Sequence, residues 1–325
     1  MNSEYLLLLG MGGTIAGIAS DLSKPMSYQA GQIPIEGLLA GLNLPEDFPF
    51  VQAVQVANVD SRHMSEELMV ELGMAVKAGL ANPQVTGIVI THGTDTMEET
   101  GIFLHATLGM LATHYKKAVV LTGAMLPSNA DHADGPSNLR SALYLAQEAR
   151  HHKQFGILAM MAGKPCRARD LSKQHTHCLD ALVINAPELD GPTQKKQADL
   201  SLPAAGGWPW VEIVTSHAGA SPYLVDWLVS EGVEGIVVAG TGQGSVHGKL
   251  AEALVMAAES GIPVVRSSRT GAGTVFSEIP EPDGMWNWVS ARDLSPPKAR
   301  IALQLALLEA NSKKTDDWQS IFATI

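Results

Sequence analysis

The sequence is poor in cysteine, in basic residues and in long apolar runs, and each shortage removes a class of protein. Two cysteines, Cys166 and Cys178, in 325 residues do not make a disulfide framework. They flank a short polar stretch that a hairpin would fold face to face, and reduced thiols are the expectation. Lys and Arg number 22 against 33 Asp and Glu, a formal net charge of -11. With no basic cluster to neutralise phosphates, neither nucleic acid nor an anionic membrane surface is an expected partner. No stretch approaches the roughly 18 apolar residues that a membrane-spanning helix requires. The apolar run Leu6–Leu9 follows an acid, meets glycines at once and is too short for the core of a secretory signal. It reads as a buried first strand, and the chain is expected in the cytoplasm. Internal repeats and low-complexity tracts are also missing.

What is present is ample core material, 46% hydrophobic residues, in a length that suits two domains of about 100–200 residues each. Short β-rich apolar runs, at 5–9, 51–56, 87–91, 118–122, 155–161, 211–215, 235–239 and 262–266, alternate with amphipathic segments. The helical patterns cover 66–78, 98–112, 137–150, 223–230, 249–260 and 298–310. Strands alternating with helices of this length predict an α/β fold with mostly parallel sheets covered on both faces. The aperiodic, Pro- and Gly-rich stretch from Pro187 to Pro209 marks a break. The expected organisation is a large, doubly wound N-terminal domain (1–190), a linker (191–209) and a smaller, flavodoxin-like α/β C-terminal domain (210–325). In such sheets functional groups gather at the carboxyl ends of strands.

Three segments carry candidate chemistry. The first, Gly10-Met11-Gly12-Gly13-Thr14-Ile15-Ala16-Gly17, follows the first strand. Its glycines suit a tight turn and close backbone approach to a ligand, and its spacing matches neither a dinucleotide fingerprint nor a P-loop. Thr14 stands where a sheet presents a hydroxyl, which attacks a carbonyl if a base takes its proton. The second segment, His92-Gly93-Thr94-Asp95-Thr96-Met97-Glu98-Glu99-Thr100, closes another apolar strand. Thr96 and Glu99 have capping-box spacing, which starts a helix near Met97 and leaves Gly-Thr-Asp in the preceding turn. The third is Arg169-Asp170-Leu171-Ser172-Lys173. Its lysine reads as a solvated charge unless it is desolvated beside Asp95 and Thr94, where it would serve proton transfer.

Taken together, and with Gly123-Ala124-Met125, Ala133-Asp134-Gly135-Pro136, Val265-Arg266-Ser267-Ser268-Arg269 and Lys298-Ala299-Arg300, these segments resemble the bacterial-type L-asparaginase and glutaminase family over nearly the whole chain. The resemblance implies an amidohydrolase converting L-asparagine and water to L-aspartate and ammonia, with Thr14 as the nucleophile of an acyl-enzyme. It implies that Tyr28, on a mobile loop between Gly17 and Gly31, activates Thr14, and that Thr94, Asp95 and Lys173 form a second triad. Ser61, Gly93, Thr94, Asp95 and Ala124 would bind substrate, with backbone N–H groups near Thr94 as oxyanion donors. It implies no metal or organic cofactor, and a homotetramer built from intimate dimers. Two other readings stay beside it: a glutaminase-asparaginase of broader specificity, and a non-catalytic amino-acid sensor.

Departures from the family pattern cluster around specificity. Met11 replaces a threonine and reads as packing. Arg62 follows Ser61, and either enters the site or points to solvent. Gln243 and Ser245 stand where relatives carry asparagines, and Glu278, Glu281 and Asp283 are the candidates for an acidic residue that reaches a neighbouring site. His175 and His177, two apart, would share one face of a strand; with no third or fourth ligand evident, no metal site is expected. His92 reads as a hydrogen-bonding partner of its turn, and Trp286 and Trp288 as packing or interface residues.

Overall fold

The computed structural model describes residues 4–21, 23–24, 27–184, 198–277 and 283–325. The chain divides into two compact units, Met1–Gly206 and Gly207–Ile325. Within the expected linker, residues 191–197 lie outside the described residues, as do Glu278 and Glu281.

In the first unit, strands β1 (Tyr5–Gly12), β2 (Ile18–Ala19), β3 (Tyr28–Gln29), β4 (Val51–Val59), β5 (Val85–Thr91), β6 (Ala118–Thr122), β7 (Gly156–Met161), β8 (Lys164–Arg167), β9 (Leu171–Lys173) and β10 (Leu182–Ile184) are joined by helices α1 (Ile35–Ala40), α2 (Glu66–Ala81), α3 (Met97–His114) and α4 (Gly135–His152). The main sheet has the order β4-β1-β5-β6-β7-β8, parallel except for the antiparallel β7–β8 hairpin. Alternation along the strands explains the two covered faces. Leu6, Leu8, Val89, Val120 and Leu158 join one core with Leu139 and Leu143 of α4 and Ile35 of α1. Leu7 and Ile88 point the other way, against α2, whose Gly79 lets the helix settle directly on them.

The second unit holds β11 (Val211–Thr215), β12 (Gly235–Gly240), β13 (Val264–Ser268) and β14 (Val289–Ser290), all parallel and in chain order, with α5 (Tyr223–Ser230), α6 (Gly248–Glu259), α7 (Asp283–Trp286), α8 (Pro296–Lys313) and α9 (Trp318–Phe322). The α/β class with parallel sheets stands as read. The flavodoxin-like order, expected of the C-terminal domain, belongs to the N-terminal one instead. There β1 is flanked by β4 on one side and β5 on the other, which reverses the strand order and opens a crevice at their carboxyl ends. Trp286 and Trp288 pack on each other with centroids 4.6 Å apart, as a packing role requires. Among the described residues no helix is long and apolar enough to cross a membrane.

At the opposite, amino-terminal end of the main sheet, the buried Lys117 stands just before β6. Its ammonium donates to the carbonyls of Gly79 (3.2 Å), Leu80 (2.7 Å) and Asn82 (2.6 Å), at the end of α2 where the helix supplies no further N–H groups; the Asn82 carbonyl also accepts from the Val85 N–H at 3.2 Å. Lys117→Met keeps the stem and removes the donors. It is expected to lower unfolding stability by about 2–4 kcal/mol, read by urea denaturation; unchanged stability would show that the cap is dispensable.

Candidate active site

The site assembles from the carboxyl ends of neighbouring strands. β1 runs into a 3₁₀ turn at Thr14–Ala16, β4 into another at Ser61–His63, β5 into the turn before α3, and β6 into Gly123–Met125. What holds the first and third together is the lack of side chains. Gly13 has φ +80°, and a Cβ there would lie 2.5 Å from the Gly93 nitrogen; a Cβ on Gly93 would lie 2.5 Å from Ser61 Oγ. The backbones therefore touch, and Thr14, Ser61 and Thr94, all buried, are brought to one place.

Two hydroxyl groups in it have partners suited to proton transfer. Thr14 Oγ1 lies 2.6 Å from the phenol oxygen of Tyr28. Tyr28 belongs to β3, which pairs with β2 to form an arm over the crevice. The arm is anchored at its base. Asn129 pairs with both backbone groups of Ala19 at 2.8 Å, and Ser128 donates to Gly17 O through its N–H (2.9 Å) and its hydroxyl (3.0 Å). Thr94 Oγ1 accepts from Lys173 Nζ at 2.9 Å, and the same ammonium lies 2.6 Å from Asp95 Oδ1. The thioether of Met125, at 3.5 Å, is the acceptor for the Thr94 hydroxyl. Lys173 arrives on β9 from outside the main sheet. Just before it, Asp170 is buried between the guanidinium groups of Arg167 and Arg169, each at 2.9 Å, which fixes the turn leading into the strand. The sequence leaves Lys173 open between a surface charge and a desolvated one, and the structure decides it. The lysine side chain is 17% exposed, whereas Asp95 is 60% exposed and forms the solvent-facing edge of the triad.

The Gly123–Met125 loop is held by the first turn of α4. Asp134 accepts the N–H groups of Met125 (2.9 Å) and Leu126 (3.0 Å), and Asn138 bridges Gly123 O and the N–H of Ala162, both at 3.0 Å. Ala124 is fully buried beneath the crevice. Asn129 was not singled out by sequence reasoning: its role rests on a partner 110 residues away. Asp134 and Asn138 fall within matched motifs, which give their presence and not their task.

Other expectations are settled by contacts. His92 is fully buried, donates from Nδ1 to Gly93 O (2.8 Å) and accepts at Nε2 from Thr100 (3.0 Å), so it is a neutral brace for its turn. α3 begins at Met97 as expected, but without the capping box: the Thr96 hydroxyl donates to Ser61 O at 2.9 Å, tying two site turns together. Arg62 is 70% exposed and paired with Asp60 at 3.3 Å, which resolves it as solvent-facing. Asp283 is buried in a two-bond pair with Arg266 (2.5 and 3.0 Å), so its carboxylate is already engaged within its own unit. Gln243 clasps Thr274 O and the Phe276 N–H. Met11 packs in the core, and Cys166, buried, and Cys178, exposed, are not joined in a disulfide.

Burial pushes the His92 pKa down to about 4, and that of His105 on α3 to about 3, by burial and then the Arg169 and Arg167 charges. Below the ordinary value near 6.5 the unfolded chain takes protons that the folded one refuses. Stability is therefore complete above about pH 6.5 and declines steadily as the pH falls toward 4. Urea midpoints across that window check the sign, and a flat profile would contradict the buried, neutral state of His92.

Comparison with known proteins adds a matching outline. Residues 5–201 match the family model "Asparaginase, N-terminal", and residues 210–322 match "Glutaminase/Asparaginase C-terminal domain". A glutaminase-asparaginase of Acinetobacter glutaminasificans is 33% identical, over 95% of this chain and 96% of the relative. L-asparaginase 2 of Escherichia coli (strain K12) is 34% identical, over 98% and 92%. The crystal structure of a probable cytoplasmic L-asparaginase from Campylobacter jejuni matches with a TM-score of 0.86 and 33% identity, covering 99% of this chain and 100% of the other.

Proposed function

Because the chain belongs to the bacterial-type asparaginase family and is an amidohydrolase that hydrolyses L-asparagine, we propose that Thr14 is its nucleophile and that Tyr28, Thr94, Asp95 and Lys173 move the protons. The observation that carries this reading is the pairing of each buried threonine with its own proton partner, Tyr28 at 2.6 Å and Lys173 at 2.9 Å. In this scheme Thr14 Oγ1 adds to the side-chain amide carbon while its proton passes through Tyr28 to the leaving nitrogen, which departs as ammonia. Water then adds to the acyl-enzyme through the Thr94–Lys173 relay, Thr14 recovers its proton, and aspartate leaves. Lys173 stabilises negative charge on Thr94 Oγ1 as a proton moves, and Asp95 holds Lys173. The backbone N–H groups of the Gly93–Thr94 turn serve the oxyanion. Ser61 and Asp95 grip the α-carboxylate and α-ammonium, with Gly93 and Ala124 shaping the floor.

Broader glutaminase-asparaginase activity is the second reading, supported by the glutaminase-asparaginase among the relatives. A pocket discriminates one methylene by only about 1–3 kcal/mol. We further propose a cytoplasmic enzyme, supported by the Campylobacter similarity, and a homotetramer of intimate dimers. The exposed Tyr223, Leu224 and Trp227 on α5 give that assembly an aromatic face to cover. Light scattering should return four times 34.4 kDa; a monomer would remove the assembly.

Ammonia release from L-asparagine and L-glutamine, measured in parallel, tests the catalytic assignment. Thr14→Ala should fold normally and lose activity by about three orders of magnitude or more, and Lys173→Met should be nearly as damaging. Full activity in the first variant would sink the nucleophile, and a mild effect in the second would return Lys173 to a bystander charge.

A further inference from the structure

The hairpin that delivers Lys173 carries a second chemistry at its tip. β9 ends at Lys173, β10 begins at Leu182, and the Gln174 N–H closes the loop on Ala181 O at 2.8 Å. Had the strand continued, His175 and His177 would share a face and Cys178 would point away. The turn gathers all three instead. One ligand atom from each lies within 4.8 Å of the others, and all three residues are exposed. The imidazole rings stand edge to face with centroids 4.6 Å apart, and Cys178 Sγ is 3.3 Å from His175 Nε2.

We propose that this tip binds a soft divalent transition ion of the zinc class through the imidazoles of His175 and His177 and the thiolate of Cys178, with water as the fourth ligand. Two nitrogens and a sulfur are the donor set such an ion prefers over oxygen-seeking magnesium or calcium. The spacing fits: metal bonds of about 2.3 Å to sulfur and 2.0–2.1 Å to nitrogen at tetrahedral angles separate the two donors by about 3.6 Å, close to the 3.3 Å observed. Thr176 Oγ1 lies 3.0 Å from His177 Nδ1, an orienting partner that leaves Nε2 to ligate. The formal charge of -11 favours cations near the surface generally.

Within the loop the backbone engages one of the proposed ligands. His175 Nδ1 accepts the backbone N–H groups of His177 (3.3 Å) and Cys178 (3.1 Å), so the ring proton sits on Nε2 and faces the sulfur. On binding, that proton exchanges to Nδ1 through solvent, the thiol proton is released, and Nε2 and Sγ close on the ion. The two displaced N–H groups turn to water, which an exposed tip permits. No electron transfer is involved.

The test is a titration of the reduced, tag-free protein with Co²⁺, followed by Zn²⁺ competition. The expected result is one ion per chain, with a thiolate-to-cobalt band in the near ultraviolet that Zn²⁺ removes. Cys178→Ser should lose the band, and both it and His175→Ala should weaken Zn²⁺ binding at least about tenfold. His217→Ala, at an exposed histidine elsewhere, should change neither. A cobalt complex without the thiolate band, or equal Zn²⁺ affinity in all four proteins, overturns the proposal. Neither readout depends on amide hydrolysis, so the catalytic assignment stands or falls separately.

Discussion

The contact between Gly13 and Gly93 is the constraint from which the rest of the site follows. Their backbones meet where two side chains would need to be, with a Cβ on Gly13 placed 2.5 Å from the Gly93 nitrogen. That approach brings the end of β1 against the end of β5, so Thr14 and Thr94 share one crevice. It also exploits the reversal of strand order beside β1, where the sheet leaves room for a ligand. Once the two turns touch, Ser61 caps them from β4 and the Thr96 hydroxyl laces the assembly to Ser61 O.

Around this contact the protein separates rigid support from exposed chemistry. His92, Asn138 and Asp170, which are buried, and Asp134, which is half-buried, saturate backbone groups or guanidinium ions. The groups they position meet solvent to graded extents, from Thr94, which is buried, through Lys173 to the open Asp95. Burial sharpens a hydrogen bond electrostatically and raises the cost of leaving a group unpaired. The gradient therefore keeps the Thr94 hydroxyl in dry surroundings and leaves the charge that neutralises Lys173 in water.

Much of this was legible in the sequence, for identifiable reasons. Long apolar strands such as Ala118–Thr122 and Val211–Thr215, and amphipathic helices such as Tyr223–Ser230, carry periodicity that needs no tertiary context. Short elements did not show: β2, β3, β9 and β10 have two or three residues each, and exist because of what they pair with. The residues that the structure brings together, Thr14 and Thr94 above all, lie in dense motifs that single them out. Contacts set by long-range geometry were not. Thr96 has the spacing of a cap, yet its hydroxyl is drawn to a carbonyl 35 residues away. Cys178 joins two histidines only because the chain turns where a strand would have carried it to the other face.

Lys117 gives the sheet an asymmetry with a practical meaning. Its ammonium closes the end of α2 at the amino-terminal edge, while every group assigned to catalysis lies at the carboxyl edge or on the elements folded over it. The Lys117 cap and the proposed site thus occupy opposite rims of one layer. Loops on the reacting rim can be exchanged for others while the base that holds the strands in register stays the same, so new specificities are accessible to this domain without rebuilding its core.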